Sequence, residues 1–342
     1  MPGGVACGAA LLLAVAFPEA ASRPEIQWTP WAVGLLAFGI PHGALDHQIG
    51  MGVGHGVGRV RFLAVYIMLA AAVVALWWLA PMAALVGFLV VAAFHFGQGD
   101  LYWHQAAREG IGPNGALLGE RRRSWRWQSV STFVVRGLVP VALPVLIFAD
   151  EFAGAADAMT GRLFGGSGRW AIPESTRTAA LAAVCGLVVV HLGMLLDEAI
   201  RRPTHRRLAG VEAGGTILLV GLFTAVPPVL AMGVYFNAWH SVRHVARLLL
   251  VAGPTREAAR AGRWGEAMAR FHVTTLPTSL AALALMGLLG WALHDRVRAA
   301  TDSGLALLVM VAALTLPHVI VVLGMDRDQA VWGYRRPAGL RP

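Results

Sequence analysis

Long runs of this chain are apolar without interruption, as in Phe62–Ala80 and Leu181–Leu196. A helix needs about 20 apolar residues to cross a bilayer, whereas barrel strands would alternate in pieces of about ten. The pattern therefore predicts helices, with spans near 28–49, 60–80, 82–99, 129–149, 178–198, 212–226, 229–250, 272–293 and 304–324. A tenth apolar segment near 4–19 is short and lacks the basic n-region of a signal peptide, so it reads as a short or tilted extra helix. Pro227–Pro228 separates two apolar runs that would otherwise merge, and predicts a tight turn between them. The expected fold is an all-α, polytopic transmembrane helical bundle of about nine spans, with the N-terminal segment as candidate tenth. Residues 1–20 form the extra apolar segment, 21–326 the transmembrane domain and 327–342 a cytoplasmic tail. Neither an internal repeat nor a soluble domain is evident.

Composition strengthens the membrane reading. Apolar residues make up 57% of the 342 and charged residues 14%, against about 25% in soluble domains. Mean hydropathy is +0.61. The formal charge of +9 does not indicate nucleic acid, because all 28 basic residues are arginines in short loops and no lysine occurs. Arginine-rich loops follow the first, third, fifth, seventh and ninth spans (Arg59; Arg121–Arg123 with Arg126; Arg201–Arg207; Arg256–Arg270; Arg327–Arg336). The intervening loops are nearly neutral. This alternation predicts an integral protein of the bacterial inner membrane with the arginine-rich loops and C-terminus in the cytoplasm. The loops around Arg256–Arg270 and Arg121–Trp127 are long enough for short interfacial helices. Cys7 and Cys185 lie in apolar segments and read as packing residues.

Histidine is expensive in lipid and marks function there. His42, His95, His191, His240, His244 and His318 all fall within predicted spans. The spans carrying them run from outside to cytoplasm, and each histidine sits in the second half, so the topology drawn from arginines puts them at one depth. His191 shares that depth, so depth alone does not select ligands. His240 and His244 are separated by four residues and share a helical face. His42 and His47 are five apart, about 140° around a helix, and face one site together only if Pro41 and Gly43 break the helix. Asp46, four residues after His42, is placed to accept the free ring N–H of His42 and fix its tautomer. Arg243 faces away and reads as an interface anchor. Imidazoles without an obvious carboxylate ligand suit iron, copper or zinc rather than calcium or magnesium.

Four pieces, Gly39-Ile-Pro-His-Gly-Ala-Leu-Asp-His47, Phe94-His-Phe-Gly-Gln-Gly-Asp100, Tyr235-Phe-Asn-Ala-Trp-His-Ser-Val-Arg-His244 and Leu316-Pro-His-Val-Ile320, occur in one order over residues 39–320. In this the chain resembles the Brp/Blh family of membrane beta-carotene 15,15'-dioxygenases. The resemblance implies a membrane-embedded non-haem iron(II) enzyme that cleaves the central double bond of beta-carotene with O2 to give two all-trans-retinal. It implies Fe(2+) as cofactor, His42, His95, His240 and His244 as metal ligands, and beta-carotene, O2 and membrane lipid as partners; no protein partner is indicated. Asp46, His47 and His318 become candidates to orient a ligand or line the substrate path. Phe94, Phe96, Tyr235, Phe236 and Trp239 are candidates for the tunnel wall.

Three rival readings stay open. A haem electron carrier would place histidines on opposing helices, which the His240–His244 pair fits poorly. A di-iron lipid oxidase would need more clustered histidines than one HxxxH supplies. A transporter with a histidine relay would need no metal. A retinal-binding photoreceptor is excluded, because its Schiff base needs a lysine.

Overall fold

The structure, a computed structural model, describes residues 2–53, 58–118, 125–251, 253–298 and 300–332. Among these there is no β-strand. The helices are α1 (Pro2–Ala16), α2 (Pro18–Ala21), α3 (Pro24–Gly34), α4 (Asp46–Val53), α5 (Arg59–Leu79), α6 (Pro81–Glu109), α7 (Trp125–Ile147), α8 (Ala149–Asp157), α9 (Glu174–Arg201), α10 (Arg206–Ala225), α11 (Pro228–Val234), α12 (Val242–Leu249), α13 (Gly253–Arg260), α14 (Trp264–Ala292) and α15 (Ala300–Asp328). Seven of them, α5, α6, α7, α9, α10, α14 and α15, are long and apolar enough to cross a membrane.

These seven match seven of the nine expected spans. The other two are not continuous α-helices. The 28–49 segment is α3, a π-turn at Leu35–Gly39, a 3-10 turn at Pro41–Gly43 and then α4. The 229–250 segment is α11, a π-turn at Tyr235–Ser241 and then α12. Both interruptions fall at the histidines. Pro227–Pro228 makes the expected turn between α10 and α11. Near Arg256–Arg270, α13 and the first turns of α14 occupy the arginine-rich loop. Residues 121–124 of the other such loop, and residues 333–342 of the expected tail, lie outside the described residues.

Helices α15 and α7 are the most enclosed of the seven, with 61% and 56% of their apolar windows buried, whereas α5, α9 and α14 reach only 11–17% and form the outer wall. The N-terminal α1 packs on α10, α11 and the π-turn after α11, with Cys7 fully buried. The closest pairing is α6 with α7. A Cβ on Gly97 would lie 2.2 Å from the Phe133 carbonyl oxygen, and one on Gly137 would lie 2.2 Å from that of Ala93. Each glycine thus receives the backbone of the other helix, as small residues do where membrane helices pack without a hydrophobic drive.

Charge inside the bundle is paired, as burial in an apolar medium requires. Arg108 meets Glu198 at 2.7 Å and Glu212 at 2.8 Å, and Arg247 meets Asp326 at 2.7 Å. Arg243 is not an interface anchor. It binds Asp100 at 2.6 Å and lies 4.1 Å over the Trp239 ring. It shares the helical face of Trp239, four residues earlier, and its guanidinium is paired where an unpaired one would be far costlier.

Candidate metal centre

The two interrupted segments pack against each other, and that contact builds the site. Gly34 and Gly39 on the first abut Asn237 on the second, where added Cβ atoms would sit 2.5 and 2.7 Å from its side chain. The Asn237 amide donates to the carbonyls of Pro30 (3.1 Å) and Gly233 (2.9 Å). The Trp31 indole donates to Val229 O at 2.9 Å, and its ring stacks on Phe236. Backbone carbonyls beside the breaks are therefore satisfied inside the protein, the condition for irregular backbone at membrane depth. His42 follows the first π-turn and His240 lies within the second, and their rings are 5.8 Å apart. α6 and α15 close the other sides with His95 and His318.

Each of three imidazoles is anchored through Nδ1 to a different acceptor. His42 donates to the Gly39 carbonyl. His95 donates to Gln98 Oε1 at 3.2 Å. His318 donates to both carboxylate oxygens of Asp46, at 3.0 and 2.9 Å, and Tyr66 donates its hydroxyl to Asp46 Oδ2 at 2.9 Å. With Nδ1–H engaged, Nε2 carries the lone pair in all three rings. One ring nitrogen from each of His42, His95 and His318 lies within 4.8 Å of the others, and all three residues are buried. The Nε2 of His318 has no hydrogen-bond partner. His240 turns its Nε2 to within 3.0 Å of the His95 Nε2.

This donor set fits a metal ion. Metal–imidazole bonds are about 2.0–2.1 Å, so two imidazoles bound at right angles to one ion stand roughly 3 Å apart, the separation found between His95 and His240. The Nδ1 contacts are the outer bonds that orient imidazole ligands and fix their tautomer.

His244, expected among the ligands, stacks on His240 with ring planes 12° apart and centroids 6.5 Å apart, so the pair does share a face. Its ring is 5.1 Å from that of His318 and 5.6 Å from that of His42; neither His240 nor His244 is one of the three-nitrogen group. His318 is in that group. Asp46 does not serve His42, as the i, i+4 spacing suggested, because the 3-10 turn at Pro41–Gly43 breaks the helix between them and leaves Asp46 facing α15. His47 bonds the Ala44 carbonyl at 3.1 Å and borders the cavity described next. His191 bonds Ser131 at 2.9 Å, away from the cluster.

Beside the imidazoles lies a cavity of about 760 Å³, bordered by His42, His95 and His318. That is within the roughly 300–1,000 Å³ usual for small-molecule sites. From His318 it follows α15 up to Leu305, about 20 Å at 1.5 Å per residue. In the other direction it reaches Tyr66, Leu63 and Phe62 on α5. Phe96 and Phe236 line it, as anticipated. Phe94, Tyr235 and Trp239 do not. Tyr235 and Trp239 are buried behind His240, where Trp239 donates to Asp100 at 3.3 Å; four residues apart, they share a helical face other than the one carrying Phe236, His240 and His244.

Gln98, Asp326, Arg247 and Tyr66 escape the sequence reading. A signal existed for two of them: Gln98 is one turn from His95, and Arg247 is a charge within an expected span, whereas Asp326 falls in the polar Asp326–Gln329 stretch past the last span. Tyr66, in an unbroken lipid-facing run, carried none.

A family model described as beta-carotene 15,15'-dioxygenase matches residues 33–326. The probable beta-carotene 15,15'-dioxygenase Blh of Halobacterium salinarum is 37% identical over 316 residues, covering 90% of this chain and 87% of that protein. The probable beta-carotene 15,15'-dioxygenase Brp of the same organism is 28% identical over 332 residues, covering 90% and 86%. A beta-carotene 15,15'-dioxygenase of uncultured marine bacterium 66A03 is 36% identical over 80 residues, 22% of this chain and 28% of that protein. No solved structure is a significant match.

Proposed function

Because this chain belongs to the beta-carotene 15,15'-dioxygenase family, we propose that it is a membrane-embedded non-haem iron(II) enzyme that splits beta-carotene at its central double bond. The reaction balances as one polyene and one O2 giving two molecules of all-trans-retinal. The observation that carries this reading is the convergence of outer-anchored imidazoles on one point at the wall of an apolar cavity.

We assign the ion to the four histidines read from the sequence, His42, His95, His240 and His244, joined by His318, whose orphaned Nε2 asks for a partner. Bound there, Fe(2+) supplies the O2 chemistry that no side chain of this chain can provide. The residues do the rest. Gly39 O, Gln98 and Asp46 hold the Nδ1 protons of His42, His95 and His318, so that their Nε2 atoms stay unprotonated. Phe96 and Phe236 offer flat apolar faces beside the histidines, suited to a polyene that has few polar handles. The cavity arms on either side set which double bond stops at the histidines. Placed in a bilayer with its arginine-rich loops in the cytoplasm, the cavity takes its substrate from the lipid.

The test is expression in cells that accumulate beta-carotene, with and without His240→Ala, followed by chromatography of the extracted pigments. Retinal in the wild type alone supports central cleavage at this site. Unchanged carotene with iron in the purified protein would keep the metal site and transfer the reading to another carotenoid. Unchanged carotene and no iron would refute it.

A further inference from the structure

Behind His95 stands a chain of buried polar groups whose donors and acceptors allow only one arrangement. Asp326 is fully buried in α15 and, as a carboxylate, can only accept. Its Oδ1 accepts from Arg247 at 2.7 Å, and its Oδ2 accepts from Gln98 Nε2 at 2.8 Å and Trp332 Nε1 at 3.0 Å. The Gln98 amide must therefore turn its NH2 toward Asp326 and its oxygen toward His95. That oxygen accepts from His95 Nδ1, which leaves His95 Nε2 bare and aimed at the His240 ring. Arg247 is itself clamped, with its Nε 2.7 Å from Gln329 Oε1 and its guanidinium 4.0 Å over the Tyr102 ring.

We propose that Gln98, held by Asp326 and Arg247, is a positioning residue that fixes the tautomer and direction of His95 as a metal ligand. This rests on the iron reading above. An isolated glutamine beside a histidine fixes nothing, because its amide can flip and serve as donor or acceptor alike. What makes Gln98 directional is the anion on its far side, and what keeps Asp326 an anion in an apolar bundle is Arg247. Three helices, α6, α12 and α15, thus cooperate on a single proton position. The arrangement parallels the Tyr66–Asp46–His318 row on the other side of the cluster but places the carboxylate one residue further out. A carboxylate directly on His95 would add a second negative charge beside the proposed ion; an amide relays the orientation without it.

The test uses purified full-length protein in detergent, stripped of metal and titrated with Co(II), whose d–d bands report ligand geometry. Thermal unfolding of the metal-free proteins is measured alongside. Gln98→Met keeps the volume and removes the hydrogen bonds. It is expected to weaken Co(II) binding about 10–100-fold, the usual effect of losing an outer partner of a ligand, and to shift the bands. Gln98→Glu sets a second carboxylate against Asp326 and is expected to bind at least as poorly. The exchange Gln98→Glu/Asp326→Asn restores a donor facing the residue-98 acceptor at constant net charge, at the cost of the Trp332 and Arg247 partners of Asp326, and is expected to bind Co(II) severalfold more tightly than Gln98→Glu alone. If Gln98→Met does not fold, the single and double exchange variants still decide. Wild-type affinity and bands in Gln98→Met, or a double variant as weak as Gln98→Glu, would overturn the positioning role while leaving the metal site standing. A wild type that binds no Co(II) would remove the metal reading and this inference together.

Discussion

Alanine at Gly137 is expected to damage the metal centre without touching it. A Cβ there would lie 2.2 Å from the carbonyl oxygen of Ala93 and 3.4 Å from the Gly97 nitrogen, so α6 and α7 would have to part by more than 1 Å to reach ordinary contact. Neither atom is on a flexible side chain, and the strain falls on two backbones. Overpacking of this kind costs about 1–3 kcal/mol, partly offset by the gain of up to about 1 kcal/mol for alanine over glycine in a helix. The displacement matters more than the energy. α6 carries His95 and Gln98, and a shift near 1 Å is large against the 3.0 Å between the His95 and His240 nitrogens. The control is Gly87→Ala on the same helix, where a Cβ meets nothing within 4 Å. In detergent, thermal unfolding followed by circular dichroism should rank Gly87→Ala at or above wild type and Gly137→Ala below it. Iron per chain should fall only in Gly137→Ala. Full iron and an undiminished melting temperature in Gly137→Ala would refute the argument that this crossing sets the position of His95.

Asp46→Ala leaves His318 Nδ1–H and the Tyr66 hydroxyl without their buried acceptor. It should weaken iron binding about 10–100-fold and cost about 1–3 kcal/mol in stability, while Asp46→Asn, which keeps one acceptor oxygen, should lose less on both counts in a metal titration and a melt. His191→Ala should retain iron and His318→Ala should lose it by elemental analysis, since both histidines lie at one depth but only His318 joins the cluster. Ala92→Trp fills the cavity one turn before His95; iron content should persist while retinal formation, read by chromatography, disappears.

The histidines were legible in depth but not in direction. Arginine alternation predicts an orientation for nine spans that puts His42, His95, His240 and His318 at one level, and seven of those spans coincide with the long apolar helices observed. Direction around the helix axis needs an unbroken period, and a residue added in a π-turn rotates everything after it by about 100° relative to an α-helical count. One error follows such turns, and others are aromatics expected at the cavity, Phe94, Tyr235 and Trp239, that sit on other helical faces than the histidines. Asp46 lies after the Leu35–Gly39 and Pro41–Gly43 turns, and serves His318 instead of His42. Tyr235 and Trp239 share a face that points away from the cavity, while Phe236, on the face of His240 and His244, lines it; helical spacing alone separates those two faces. In the unbroken α6, Gln98 stands one turn from His95 as helical geometry requires, whereas Phe94, next to His95 in sequence, is turned about 100° away and misses the cavity. What the period could not supply there was Asp326, 228 residues later, which only packing brings within reach of Gln98.

The positions of the breaks follow from the same physics that makes breaks costly. A π-turn or a 3-10 turn in lipid frees carbonyls that no water can reach, so such turns are excluded from helices that face the bilayer. The outer helices α5, α9 and α14 are accordingly continuous. The two interrupted segments instead lean on each other, and Asn237, from the second, donates to Pro30 O in the first. In return Trp31, from the first, donates to Val229 O in the second. This contact between the segments couples the placement of His42 to that of His240. The metal centre proposed above, with His42 from one segment and His240 from the other, would therefore take its geometry from the same contact that shelters the irregular backbone.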